Sequence, residues 1–302
     1  NISNIPRRVT CNLRLSRPAG KGFTLRVTRS KLSMIPEDIR DAIARGDREA
    51  VEALLNAEIS DLNAFSLDAL LGMCVLAAAQ SQSRNESRHL LEIGRLLVAR
   101  GARADGPLGN ERLLQSPLVM PITSLNDSDE IVAWYDLLIG AGADPNSISE
   151  VLVDGFRCRM LMLSRVCFFF PVTVLITTED RFELIKILLR AGANPNPGVC
   201  DRALDLSRYG LPHSAAWALD DALARAPELA DDEHYLAAKR LVKGVVAAGS
   251  YKKYLRLPLQ ELLNLLSLAQ RGKLATTDPV MKSLVGVDNH VVWNVLTYWA
   301  ES

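Results

Sequence analysis

A short phrase that halts a helix recurs three times, and it limits this chain more than any other feature. Residues 96–105 read LLVARGARAD, residues 137–146 read LLIGAGADPN and residues 188–196 read LLRAGANPN. Each sets two leucines before a glycine and follows it with alanine and a polar turn. The leucines end an apolar helical stripe. Gly101, Gly142 and Gly192 stand where a left-handed residue can close a helix without a Cβ clash. Asp-Pro-Asn and Asn-Pro-Asn then favour a tight turn, because Asn and Asp side chains bond the nearby backbone and proline presets its own torsion. The phrase predicts an amphipathic helix, a stop, a turn and a next unit.

Two flanking segments follow the same logic. In IRDAIARGDREAVEALL (39–55), Ile39, Ala42 and Ile43 make one short apolar face, Gly46-Asp47 breaks it, and Val51, Leu54 and Leu55 make a second. In ALDLSRYGLPHSAAWAL (203–219), Tyr209-Gly210 is the break, and Ala215, Ala216 and Leu219 belong to the second helix.

These segments resemble ankyrin repeats. The family phrase A-x-x-x-G-D-x-x-x-V-x-x-L-L has a counterpart in Ala42 to Leu55, and L-L-x-x-G-A-D-P-N in Leu137 to Asn146, with one extra residue before the glycine. Ala203 to Ser207 resembles a repeat opening, and Ser116-Pro117-Leu118-Val119 is a degenerate T-P-L-H. The leucine pairs at 54, 96, 137 and 188 are 42, 41 and 51 residues apart, whereas family units run to about 33. The excess is expected in insertions at 80–89, 106–115 and 147–166. The expected fold is all-α. It comprises an extended basic arm at 1–33, an ankyrin-type solenoid of four to five irregular units at 34–226, and a helical cap or docking module at 227–302.

In that last region Asp231-Asp232-Glu233 reads as a helix start with acids on the positive dipole end. Ala238, Leu241, Val242 and Val245 form one stripe, which Gly249-Ser250 stops. Leu257-Pro258 is expected to open a further helix, with Leu262, Leu263, Leu266 and Ala269 on its face. Val291 to Trp299 is expected to form a last one. The phrase Leu257-Pro258-Leu259-Gln260-Glu261-Leu262-Leu263 also resembles the opening of an F-box, which implies recruitment to a ubiquitin ligase.

Charge narrows the partners. Lys plus Arg equals Asp plus Glu at 35 each, so the whole chain does not attract a polyanion. Yet no acidic residue precedes Glu37, while Arg7, Arg8, Arg14, Arg17, Lys21, Arg26, Arg29 and Lys31 do. This arm suits a solvated tail or transit remnant, or contact with an acidic partner, an anionic membrane or nucleic acid. With one aromatic, Phe23, it lacks a stacking series for single strands. The five cysteines are odd in number and widely spaced, which points to a reducing intracellular compartment. Cytoplasm, or an organelle entered with a removed targeting peptide, both fit. The longest apolar run, Val166 to Ile176, contains Pro171 and reads as a buried segment; it is too short to span a bilayer.

No constellation for catalysis, cofactor or metal emerges. The histidines His89, His213, His234 and His290 are scattered. Neither H-E-x-x-H nor G-x-S-x-G is present, and phosphate-loop and dinucleotide fingerprints are missing. Cys200 and His213 read as unrelated structural residues. The expectation is therefore a non-enzymatic protein–protein scaffold without cofactors, a subunit or assembly factor of a large complex. An F-box-like receptor and a nucleic-acid-associated (ribosome-type) protein are the alternatives. The family resemblance implies binding through turn tips: Arg103, Asp105, Asp144, Asn146, Asn194, Asn196 and Asp201. The same residues also serve turn chemistry alone. A second surface is expected at 147–170, where Phe156, Arg157, Arg159 and Arg165 mix with Met160, Met162 and Phe168–Phe170. A long apolar, Arg-studded loop implies a partner that covers it.

Overall fold

A computed structural model of the protein describes residues 36–58, 64–81, 83–104, 118, 128–153, 156–170, 176–196 and 214–273, with single positions between 279 and 294. The chain divides into two compact units, Asn1–Ala238 and Lys239–Ser302. The basic arm, Asp105, the insertion at 106–115, Tyr209-Gly210 and Asp201 lie outside the described residues, as does most of 291–299.

The described residues are mostly helical. In the first unit α1 (Glu37–Ala44) buries Ile39, Ala42 and Ile43, the face that the spacing predicts. Asp47 then caps α2 (Arg48–Glu58), accepting from the Ala50 N–H at 3.0 Å. Val51 and Leu55 are buried, and Leu54 is half-buried. Next come α3 (Ala64–Gln80) and α4 (Arg84–Ala99), which pack on each other. The expected insertion at 80–89 is thus corrected: apart from a short link after Gln80, these residues are the start of α4. The extra length lies in two long helices.

The packing then advances along the chain. α5 (Ser128–Gly140) lies on α4, and α7 (Thr178–Arg190) lies on α5. At Gly94, in the middle of α4, a Cβ would sit 3.1 Å from Trp134 and Leu137, so α4 and α5 approach closely there. α6 (Met162–Phe168) is held between α7 and α8 (Ala215–Arg225). A 3-10 turn, Pro227–Asp231, leads into α9 (Glu233–Ala248).

One element departs from the all-α expectation. β1 (Ile148–Val153) and β2 (Phe156–Leu161) form an antiparallel hairpin, pairing Ile148 with Leu161 through to Val153 with Phe156. Only Asp154-Gly155 stands between the strands, and such a dipeptide suits a two-residue hairpin turn. The remainder of the expected 147–170 loop is α6, all seven of whose residues are buried. The Val166–Phe170 stretch is core, as its hydropathy predicts, except for half-buried Phe169.

In the second unit, Leu241, Val242 and Val245 of α9 are buried, as their stripe predicts. α10 (Tyr251–Gln270) does not open at Leu257-Pro258; Pro258 lies inside it. The start is moved by Ser250, whose hydroxyl caps the helix by accepting from the Lys253 N–H at 3.2 Å. Proline forgoes one backbone bond, the one an N–H at 258 would give to the Tyr254 carbonyl.

The recurring phrase resolves into one device. Gly101, Gly142 and Gly192 have φ of 97°, 91° and 96°. The glycine N–H donates three residues back, and the following alanine N–H donates five back, to Leu97, Leu138 and Leu188 at 3.0, 2.9 and 2.9 Å. This is the Schellman helix stop. Ala102, Ala143 and Ala193 are buried with the leucines they bond. The leucine thus closes the core and accepts the last hydrogen bond.

Two glycines of α5's end separate conformation from propensity. Gly140→Ala replaces a helical, exposed glycine with open space around it, and should raise stability by about 0.5–1 kcal/mol. Gly142→Ala forces a left-handed alanine and should lower it by about 1–2 kcal/mol. Urea denaturation of the two variants checks the opposite signs.

Candidate functional site

Successive helix stops are bonded to each other, and the predicted tip residues make the bonds. The Arg103 N–H donates to the Asp68 carboxylate of α3 at 2.5 Å. The Ala104 N–H donates to the Ala141 carbonyl of the next stop at 2.8 Å. Asn146 spans the following pair: its Nδ2 donates to the Gly192 carbonyl at 3.2 Å, and its Oδ1 accepts from the Asn194 N–H at 2.7 Å. The Ala215 N–H then donates to the Pro195 carbonyl at 3.0 Å. Asp144 and Asn194 each accept from a backbone N–H two residues on, from Asn146 at 2.8 Å and from Asn196 at 3.0 Å. These are Asx turns. Asp144, Asn194 and Asn196 are exposed and Asn146 is half-buried, and its side chain holds one unit in register with the next.

The hairpin stands between the stop at Gly142 and α6. The Met162 N–H donates to the Ser147 carbonyl at 3.2 Å and closes its base. Met160 is buried against the body, and Ile148 is exposed. Phe156, Arg157 and Arg159 lie on β2, where Arg159 stands opposite Glu150 and Arg157 opposite Leu152. Among the described residues the sheet has two strands, so each has one outer edge without a strand partner.

At the end of α6 lies a cluster the sequence did not disclose. Three consecutive phenylalanines each meet an arginine from a different helix. The Arg225 guanidinium lies 4.3 Å from the Phe168 ring centre, Arg165 5.9 Å from Phe169, and Arg181 5.8 Å from Phe170. Phe170 also meets Tyr235 edge-on at 5.3 Å, and the Tyr235 hydroxyl donates to the Leu219 carbonyl at 2.7 Å. Arg225 is anchored by Asp221 at 2.8 Å and donates to the Phe168 carbonyl. Arg165 and Arg181 are 5% and 2% exposed, and among the described residues neither has an ion-pair partner. Nε and Nη1 of Arg165, and Nε and Nη2 of Arg181, are buried without partners.

Burial lowers both arginines from their ordinary values, Arg181 to about 10, against smaller opposing effects of Tyr135 and Cys167. Buried ions are normally paired, and breaking such a pair is costly. Here the aromatic faces supply the attraction. Arg165 therefore belongs to the interior rather than to a surface awaiting a partner, which corrects that part of the 147–170 expectation.

Burial also raises the thiol pKa of Cys74 in α3 and of Cys167 in α6 well above the ordinary range. Among the described residues no three His, Cys, Asp or Glu side chains converge as a metal would need. No described helix is long and apolar enough to cross a membrane. Compared with protein-family models, curated proteins and solved structures, the chain matches none of them.

Two outcomes test this arrangement. Asn146→Ala removes both inter-turn bonds and should cost roughly 1–2 kcal/mol. Asn196→Ala, whose side chain bonds no described residue, should leave the denaturation midpoint unchanged. Cys74 and Cys167 should stay unmodified by iodoacetamide in the native protein at pH 8. Both should react once the chain is unfolded, as peptide mass spectrometry would read.

Proposed function

We propose that the chain is a non-catalytic protein–protein interaction scaffold of the ankyrin-repeat type, working as a subunit or assembly factor of a larger complex. The hairpin 148–161 is its main partner-binding element, with the adjoining turn tips Asp144, Asn146, Asn194 and Asn196 as the rim. The observation that carries this reading is the hairpin itself. A lone two-stranded ribbon is marginal in water, and here it rises from a helical body with an outer edge on each strand. Such edges are templates for a further strand from a partner. The tips support the reading differently: their own hydrogen bonds fix their positions, so a partner meets a preformed surface and less ordering is lost on binding.

The test shortens the hairpin without touching its buried base. Replacing residues 150–159 by Asn-Gly joins Ser149 to Met160 through a two-residue turn. Full chain and shortened chain are used for affinity purification from source cells, with mass spectrometry of the recovered proteins. The full chain should recover a reproducible partner set that the shortened chain loses, with both chains equally helical by circular dichroism. Recovery of the same set by the shortened chain would overturn the assignment.

A further inference from the structure

The phase of the hairpin's hydrogen bonds decides which residues its edges offer. The Met162 N–H donates to the Ser147 carbonyl at 3.2 Å, one step below the register that runs from Ile148–Leu161 to Val153–Phe156. Bonded and non-bonded pairs alternate along an antiparallel ladder. Ser147–Met162 is bonded, so Ser149–Met160, Val151–Cys158 and Val153–Phe156 are the bonded pairs of the hairpin. The last of them closes the turn at Asp154-Gly155, as the first and fourth residues of a turn do. The N–H and C=O groups of Ile148, Glu150 and Leu152 on β1, and of Arg157 and Arg159 on β2, are therefore directed to the outer edges. Among the described residues no third strand meets either edge.

The two edges differ in charge. β2 runs Phe156-Arg157-Cys158-Arg159, so the residues with outward backbone groups are its two arginines. Arg159 stands opposite Glu150, but Arg157 stands opposite Leu152. Asp154 lies between the strands and on neither of them. The outward residues of β1 are two apolar ones and Glu150, so the surplus of cations runs along β2. Phe156, Cys158 and Met160 share the other face of β2, and Met160 is buried.

We infer that the β2 edge takes an extended segment of a partner protein in which acidic and apolar residues alternate, added as an antiparallel third strand. Each acid stands directly opposite Arg157 or Arg159, exchanges both backbone hydrogen bonds with it and sits beside its charge. Each apolar residue between them continues the face of Phe156 and Cys158. This names the partner class for the hairpin, and it rests on the reading of the hairpin as the binding element.

Other occupants fit less well, because like charges directly opposite each other on a sheet are destabilising. A second copy that pairs β2 with β2 sets arginine against arginine. A second copy's β1 brings one acid for two cations. No acid precedes Glu37 in the chain's own arm. A bilayer or a nucleic acid supplies anions, but not the row of backbone donors and acceptors that a strand edge requires.

The probes are peptides of about eight residues. One alternates Glu and Val, and a second has Lys in place of every Glu. Two further forms of the Glu peptide are N-methylated, one at every Glu and the other at every Val. Binding to the full chain is read by fluorescence anisotropy. The Glu peptide should bind, weaken as salt rises, and outbind the Lys peptide by at least about tenfold. Methylation at the glutamates should abolish binding, because those nitrogens face β2; methylation at the valines should leave it, because theirs face away. Arg157→Thr, which keeps a strand-favouring residue, should weaken the Glu peptide by about twofold to fivefold. Arg157→Glu with Arg159→Glu should reverse the preference to the Lys peptide, which loss of the hairpin would not do. No binding of the Glu peptide, equal binding of the Glu and Lys peptides, or equal loss on both methylations overturns the inference. So does recovery of the full cellular partner set by the Arg157→Glu, Arg159→Glu chain, and if shortening the hairpin still loses that set, the hairpin reading stands without it. Recovery of the set by the shortened chain overturns the hairpin reading itself, and this inference with it.

Discussion

The first unit depends on how each helix ends. A backbone hydrogen bond from the residue after a left-handed glycine returns to a leucine four residues before that glycine. The leucine is thereby placed in the core, and the chain is turned back at a set angle. Everything downstream inherits that angle: where Asp144 accepts its Asx bond, where Asn146 points, and which carbonyl it reaches. Gly192 and Asn194 lie 46 and 48 residues from Asn146. Bonds over that distance form only if α5 and α7 end at matching heights, which the shared stop ensures. Local conformation and long-range register are set by the same few atoms.

Much of this was legible before any coordinates. Leu-Leu, glycine, alanine and Asp-Pro-Asn are local signals, and local signals survive tertiary context when several agree. Ile39, Ala42 and Ile43, and Leu241, Val242 and Val245, likewise face inward because helical period alone selects them. The hairpin was also written in the chain, as two six-residue runs either side of Asp154-Gly155. It was overlooked because the phenylalanines and arginines beyond it suggested a loop. The start of α10 was misplaced because Pro258 reads as a helix opener, whereas Ser250 outcompetes it by directly satisfying a free N–H.

The arginine cluster was not legible, and the reason is physical. An arginine in sequence is presumed exposed, since burial of its charge is costly without a partner. Arg165, Arg181 and Arg225 come from three helices onto three consecutive rings. No spacing within any one helix announces that meeting. A buried cation is ordinarily paired with a carboxylate. For Arg165 and Arg181 the fold supplies the quadrupole of a ring, which attracts a cation without introducing a second buried ion to desolvate, whereas Arg225 has a ring and the Asp221 carboxylate together. The same rings pack against Tyr235 and Arg225, so the segment following the hairpin is tied into the core by contacts that depend on each other.

That coupling bears on where binding resides. The buried arginines and the thiols of Cys74 and Cys167 are enclosed by the protein's own interior. They are poor places for an incoming molecule, because using them would first break contacts that hold neighbouring elements together. Among the described residues no further strand pairs with the hairpin, and on the reading proposed above its edges are where a partner strand can add without breaking an internal contact.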